Sequence, residues 1–367
     1  MTLRSTPCLA LALSVVLVGC TPHAVLAPLP EDADARTVAP VFTATNRQGP
    51  RGEDSATRSE ALTFNRFDIA IPPKRSAGQV TYPRGTVDPN TDFLVARATR
   101  FASKRQFRAA LSRELRTLPR AERDVVIYVH GFNNKFADGV LRHAQLTHDF
   151  ALKGASVHFS WPSAANPLGY AYDQDSAMFS RDALEEVLDL VRVPEARRIA
   201  IVAHSMGAML TMETLRQMAI ARPGSVARDI DGVLLISPDL DVDLFRSQAR
   251  RIGKLPDTFA VFLSERDRAL NLSARLTGTP ERLGSLREPS RIAEFEVTLV
   301  DVSEFSSGVG HFSTASSAPL ISILSAAAEV DNAFASDVSG RSGLLPGSVI
   351  TVQNVTEFVL TAGSATP

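Results

Sequence analysis

The sequence predicts an α/β protein with a mostly parallel central sheet and helices on both faces. Three observations carry that reading. From about residue 62, apolar clusters of strand length alternate with segments of helix length, which implies helical crossovers between parallel strands. VVIYVH, RIAIVAH and GVLLIS are continuous apolar runs, as strands covered on both faces should be. One of those runs passes straight into a helix-like segment at His204-Ser205-Met206-Gly207, with no loop between.

Taken in order, PVFTATNR at 40–47 reads as a first strand, and further strands are expected at 63–72, 92–99, 125–130, 155–161, 197–204, 231–237, 258–264 and 295–302. Helices are expected at 103–117, 135–153, 175–192, 206–222 and 268–277, and Asp241 and Asp243 read as first-turn helix residues. No internal repeat is visible. The stretch after 330 is Ser/Gly-rich up to VITVQNVTEFVL at 349–360, which suits either an added edge strand or a loosely attached tail. The division is a leader at 1–19, a flexible linker at 20–37, an α/β domain at 38–330 and an extension at 331–367 of undefined structure.

Composition narrows the function class. The chain has 367 residues, 44% hydrophobic and 22% charged, with a net charge of −1. That is globular composition without the basic domain a nucleic-acid partner requires. Both cysteines lie at the N-terminus, in MTLRSTPCLALALSVVLVGC. One positive side chain, Arg4, precedes an apolar run too short to span a membrane, which is the shape of a secretory signal. Its end, Leu17-Val18-Gly19-Cys20, resembles a bacterial lipobox. That resemblance implies a diacylglycerol on Cys20 and a membrane anchor, and Thr21 rather than Asp after it favours the outer membrane. An ordinary signal peptide or short anchor helix is the plainer alternative. Cleavage before Cys20 would leave no other cysteine, which excludes cysteine catalysis and cysteine-based metal sites.

The passage at 199–210, IAIVAHSMGAML, is where chemistry enters. A strand that turns sharply into a helix at a serine holds that serine in a strained backbone and lifts its hydroxyl above the carboxyl edge of the sheet. Small residues are needed two before and two after, because strand and helix pass close together there. Here they are Ala203, where glycine is usual, and Gly207. The competing assignment is that Ser205 simply caps helix 206–222.

A serine nucleophile needs a base, and the base needs an orienting acid. Of the histidines at 23, 130, 143, 148, 158, 204 and 311, only His311 follows Ser205; it sits in SSGVGHFSTAS, past the strand FEVTLVDV. His204 points to the opposite face of its strand from Ser205 and is expected to be buried. For the acid, Asp267 ends the second strand beyond the nucleophile and is the first choice. Asp239, one strand earlier, is the second. Each also suits a helix N-cap or a turn.

Acyl transfer further needs two backbone N–H groups aimed at the developing oxyanion. One is expected from Met206, directly after the nucleophile. The other is expected from Phe132 in VHGFNNKF, where Gly131 lets the backbone bend and Asn133 and Asn134 fix the loop through side-chain bonds to backbone. FSWPSAANPLGYAYDQDSA at 159–177 is expected to roof the pocket. Trp161, Tyr170 and Tyr172 would wall a substrate site or pack as core. Asp173 and Asp175 are expected to cap the following helix rather than bind metal. No H-E-x-x-H or Ca²⁺-loop pattern occurs, so no cofactor is expected.

The set HGFNN, FSWPS, GYAYDQDSA, SRDAL, AHSMG, SPDLDVDLF, SERDRAL and GHFS resembles a bacterial α/β-hydrolase family of unknown specificity. Its members are known only as esterase/lipase-superfamily proteins, often with a lipoprotein signal. The resemblance covers roughly residues 38–325. It implies the α/β-hydrolase fold, a Ser205, Asp267, His311 triad and the oxyanion loop at Phe132, and it implies no substrate. The expected activity is hydrolysis of carboxylic esters through an acyl-enzyme, with acyl lipids or thioesters next and amides behind them. The alternative is a membrane-tethered scaffold that keeps the fold without turnover. Oligomeric state has no signature in the sequence.

Overall fold

The computed structural model describes residues 23–33, 37–49, 55–278, 281–305, 311, 316–322 and 347–360. The leader at 1–19 and Cys20 lie outside the described residues. The elements are β1 (Val38–Arg47), β2 (Arg58–Ala70), β3 (Leu94–Phe101), α1 (Lys104–Thr117), β4 (Asp124–Val129), α2 (Phe136–Asp149), β5 (Ala155–Ser160), α3 (Tyr170–Phe179) and α4 (Arg181–Val191). They continue with β6 (Arg198–His204), α5 (Met206–Ala221), α6 (Ser225–Asp229), β7 (Gly232–Ile236), α7 (Val242–Ile252), β8 (Thr258–Leu263), α8 (Arg268–Thr277), β9 (Val297–Asp301), β10 (Gly347–Val352) and β11 (Val355–Leu360).

The strands form one sheet in the order β10-β11-β9-β8-β7-β6-β4-β5-β1-β2-β3. Every pair from β11 through β1 is parallel; the outer pairs β1–β2, β2–β3 and β10–β11 are antiparallel. This is the expected mostly parallel sheet. Its central runs are the ones the apolar stretches marked: all six residues of β5 are buried, and Ile201 and Ala203 of β6 are fully inaccessible.

The two faces carry separate cores. On one, Phe107 and Leu111 of α1, Leu184 and Leu188 of α4, Leu215 of α5 and Phe245 of α7 pack on the sheet. On the other, Val140 and Leu141 of α2 cover Val41, Phe67 and Ile69, and Leu320 covers Ile236, Phe262 and Val300. Helices therefore occupy both faces, and the carboxyl ends of the parallel strands converge on one edge.

Two expectations need correction, and two are completed. The segment expected as one helix at 175–192 is two, broken at Ser180. That buried hydroxyl donates to Ser176 O at 2.7 Å and meets Asn46, whose Nδ2 donates to it at 2.9 Å; a serine bonded to its own preceding turn loosens the helix there. The helix expected to open at Asp241 and Asp243 is α7, capped by Asp241; its full length to Ile252 is masked in the sequence by arginines among the apolar positions Val242, Phe245, Ala249 and Ile252. The linker expected to be flexible is pinned over its described part: Ala24 is buried, and Val95 exchanges backbone bonds with Ala27 O and Leu29 N–H at 2.8 and 2.9 Å. Within the extension, 347–360 is a hairpin whose β11 pairs in parallel with β9, which is the added-edge alternative of the two the sequence offered.

Candidate active site

Ser205 sits at the junction of β6 and α5 with φ +53° and ψ −123°. A non-glycine residue there is strained. The backbone is held in place by Ser205 N–H donating to Ile236 O at 3.0 Å and by Asp239 N–H donating to Ser205 O at 3.2 Å. The side chain makes no capping bond to α5. Its Oγ lies 2.8 Å from His311 Nε2 instead.

His311 Nδ1 lies 2.8 Å from Asp267 Oδ2. An ionised carboxylate only accepts, so Nδ1 carries the ring proton and Nε2 is left to accept from Ser205 Oγ–H. Asp267 is fully buried and serves two ends at once. Its Oδ1 accepts from Ala269 and Leu270 N–H, each at 3.0 Å, capping α8. The capping bonds fix the carboxylate that holds the histidine, so the cap assignment and the acid assignment describe the same geometry.

Asp239, the second candidate, points elsewhere. Its carboxylate accepts from Tyr170 OH at 2.9 Å and Ser273 Oγ at 2.6 Å, and pairs with Arg282 Nε at 3.2 Å. His204 is buried as expected. Its Nε2 lies 3.3 Å from the His311 carbonyl, so it supports the backbone of the residue it was set aside for. Burial, with His311 close by, holds the His204 ring well below its ordinary value, which keeps it neutral.

Two glycines show why the edge closes so tightly. A Cβ on Gly207 would stand 2.4 Å from His130 O and 2.7 Å from Val129 O, so α5 rests directly on the end of β4. A Cβ on Gly131 would stand 2.8 Å from Ser205 Cβ and 2.6 Å from His204 Nδ1. Gly131 is required by close approach to the serine. Met206 opens α5, where amides of the first turn have no helical acceptor, and Phe132 follows Gly131 in the facing loop. Asn134 fixes that loop as expected, its Nδ2 donating to Phe132 O at 2.7 Å. Asn133 does so differently. It takes φ +56°, and its backbone N–H, not its side chain, makes the bond, to Asp173 Oδ2 at 3.2 Å.

A family model described as "Alpha/beta hydrolase of unknown function (DUF900)" matches residues 103–327, more than half of the chain. The chain belongs to this family. No curated protein matches it in sequence. Among solved structures, an esterase of Pyrobaculum calidifontis aligns at 17% identity over 57% of this chain and 78% of that one, with a TM-score of 0.34. The lipase B of Aspergillus fumigatus aligns at 14% identity over 38% of this chain, with a TM-score of 0.24; the match spans 31% of the lipase.

In this α/β hydrolase, the residues that the sequence reading missed hold the Phe132 loop. Asp173 does not cap a helix. It is fully buried in the first turn of α3 and accepts from Asn133 N–H, from Ser163 Oγ at 2.5 Å and from Ala164 N–H at 2.6 Å. It thus ties the Phe132 loop to the roof loop after β5. Burial raises its carboxyl, against the pull of these donors. Arg47, at the end of β1, makes the matching tie. Its guanidinium donates to Asn134 O at 2.9 Å, Ser163 O at 3.1 Å and Ser160 Oγ at 3.0 Å. Burial pulls its pKa down to about 10 even with Asp173 nearby, so it remains charged at neutral pH.

The aromatic residues of the roof divide. Trp161 is fully buried, stacks on His130 at 4.8 Å and donates its indole N–H to His130 O at 2.7 Å. It is core packing under the loop and not a substrate wall. Tyr172 is 39% exposed and turned toward β2, its OH donating to Ala56 O and its ring under Arg58. Neither suits the expected substrate contact. Tyr170 meets Phe132 edge-on at 5.5 Å, beside the Asp239–Ser273 group. Asp175 makes no cap to α3, which begins at Tyr170. Among the described residues, no group of three or more His, Cys, Asp or Glu side chains is arranged to hold a metal ion.

Proposed function

We propose that the chain is a serine hydrolase of carboxylic esters, working through an acyl-enzyme. The observation that carries this is the unbroken line Ser205 Oγ, His311, Asp267, with both links at 2.8 Å and the serine in a strained backbone. His311 Nε2 takes the Ser205 proton as Oγ attacks the ester carbonyl. The N–H groups of Met206 and Phe132 hold the oxyanion, each donor of this kind being worth about 3–4 kcal/mol. The protonated His311, oriented by Asp267, gives its proton to the leaving alcohol. It then takes one from water as that water attacks the acyl-Ser205 ester, and returns it to Ser205 Oγ as the tetrahedral adduct breaks down and frees the acid. Diacylation of Cys20 and placement in the bacterial envelope, on the outer membrane, complete the proposal; the lipobox resemblance of Leu17-Val18-Gly19-Cys20 supports the anchor, and Thr21 in place of Asp supports the outer membrane. Acyl lipids are then the nearest substrates.

The test is labelling of the chain from residue 21 onward with a fluorophosphonate, beside Ser205→Ala and His311→Ala, with p-nitrophenyl esters of short and long chain assayed in parallel. The expected outcome is wild-type labelling and turnover that both variants lose. A folded wild type that neither labels nor turns over ester refutes the hydrolase and favours the scaffold.

A further inference from the structure

The N-terminal strap meets the catalytic edge of the molecule. His23 Nδ1 lies 2.6 Å from Asp138 Oδ2, His23 Nε2 lies 3.1 Å from Ala165 O, and Ala24 N–H donates to Asp138 Oδ1 at 2.6 Å. Asp138 stands in the first turn of α2, just past the loop that carries Phe132. Ala165 lies in the roof loop, next to the Ala164 that Asp173 ties to that same loop. The chain is therefore fastened at the active-site rim from residue 23 onward. Three residue steps separate His23 from Cys20, which can span at most about 11 Å.

Exposed apolar side chains stand on the elements that form this rim. Among the described residues, the four most exposed large apolar side chains are Leu168 at 94%, Leu276 at 66%, Leu272 at 57% and Val25 at 49%. Val25 is two residues along the strap from His23. Leu168 tips a tight turn closed by Asn166, whose Oδ1 accepts from Leu168 N–H and whose carbonyl accepts from Gly169 N–H. Leu272 and Leu276 stand one turn apart on α8, the helix that Asp267 caps, and Ser273 of that helix lies 2.8 Å from Tyr170 OH. Single exposed apolar residues are ordinary, whereas several on adjoining elements of one rim suit an interaction surface.

We propose that the partner of this rim is the lipid bilayer that holds the anchor. A diacylated Cys20, held within about 11 Å of His23, seats Val25, Leu168, Leu272 and Leu276 on the membrane, and the Ser205 site opens at the lipid surface. The docking rests on the strap and the anchor. Its consequence, that the substrate is an acyl ester of a lipid in the same membrane, rests on the hydrolase reading above.

The experiment uses the full-length chain, its Cys20 acylation verified by mass, in vesicles of phosphatidylethanolamine and phosphatidylglycerol. Leu168→Cys and Lys153→Cys each carry one environment-sensitive dye; Lys153 is exposed between α2 and β5, at the opposite edge. The expected result is a blue-shifted dye at 168, shielded several-fold from an aqueous quencher, with the dye at 153 fully quenched. Equal quenching at both positions, or a Cys20 that carries no lipid, overturns the proposal. Turnover of a short soluble ester in the same samples reports on the hydrolase separately. A shielded 168 without turnover keeps the docking and removes the hydrolase, and turnover with a wet 168 does the reverse.

Discussion

At the residue scale, Asp173 and Arg47 decide where the Phe132 N–H points, and neither touches the Ser205–His311–Asp267 line. Asp173→Ala removes the acceptor shared by Asn133, Ser163 and Ala164. It is expected to lower kcat on p-nitrophenyl esters by about 100-fold, the scale of an ångström-sized misplacement, with KM little changed. Asp173→Asn keeps one acceptor oxygen and should recover part of the loss. Arg47→Lys retains the charge but not the planar fork that reaches Asn134 O, Ser163 O and Ser160 Oγ together, and should fall between wild type and Arg47→Ala. Steady-state kinetics separate these outcomes; a change confined to KM would refute the positioning role. The Ser205 junction and the choice of His311 were legible in the sequence, because a strand-turn-helix turn is a local signal and one histidine alone follows it; Asp267 was legible only as the first of two choices. Arg47 was not, since nothing near it in the chain shows which carbonyls it will satisfy.

At the scale of elements, the contact between α5 and the end of β4 is the narrowest point. Gly207→Ala brings a methyl to 2.4 Å from His130 O, and backbone on both sides leaves little to give. The expected cost is about 1–3 kcal/mol of stability, the usual range for overpacking, and most of the activity, because Ser205 and Met206 N–H move with the helix. Urea unfolding and fluorophosphonate labelling measure the two effects. The strand side of the elbow differs: Ala203 fills the place usually held by glycine and is fully buried between Val129 of β4 and Leu235 of β7. Most elements were legible from periodicity. The break at Ser180 was not, because it depends on Asn46, a distant residue of β1. Nor was the pairing of β11 with β9, because an apolar run does not name the edge it will join.

At the scale of the molecule, buried histidines link stability to acid. His130, His143 and His204 are held well below the ordinary value of 6.5, mainly by burial, and His158 is pulled down to about 3. Both ring nitrogens of His143 are buried without a hydrogen-bond partner. Below pH 6.5 the unfolded chain binds protons at these sites and the folded chain does not, so stability falls as pH falls from that point. Each histidine contributes up to about 1.4 kcal/mol per pH unit. Urea midpoints at pH 7.5, 6.0 and 5.0 should therefore drop increasingly steeply, and His143→Phe should flatten the slope by one histidine's share. An unchanged midpoint across that range would contradict the assignment.

The sequence by itself determined the α/β class, the parallel core strands, the serine elbow and the chain order of histidine and aspartate. These depend on periodicity and on turns a few residues long, where hydrophobic burial and backbone sterics act locally. Tertiary structure alone decided that Asp267 rather than Asp239 faces His311, since both end strands on the same edge and differ only in what surrounds them. It also decided that Trp161 is core, that Asp173 and Arg47 tie two loops, and that the N-terminal strap ends at the active-site rim. Those outcomes rest on buried polar groups that must find partners far away in the chain, and the identity of such a partner is not written in any local pattern.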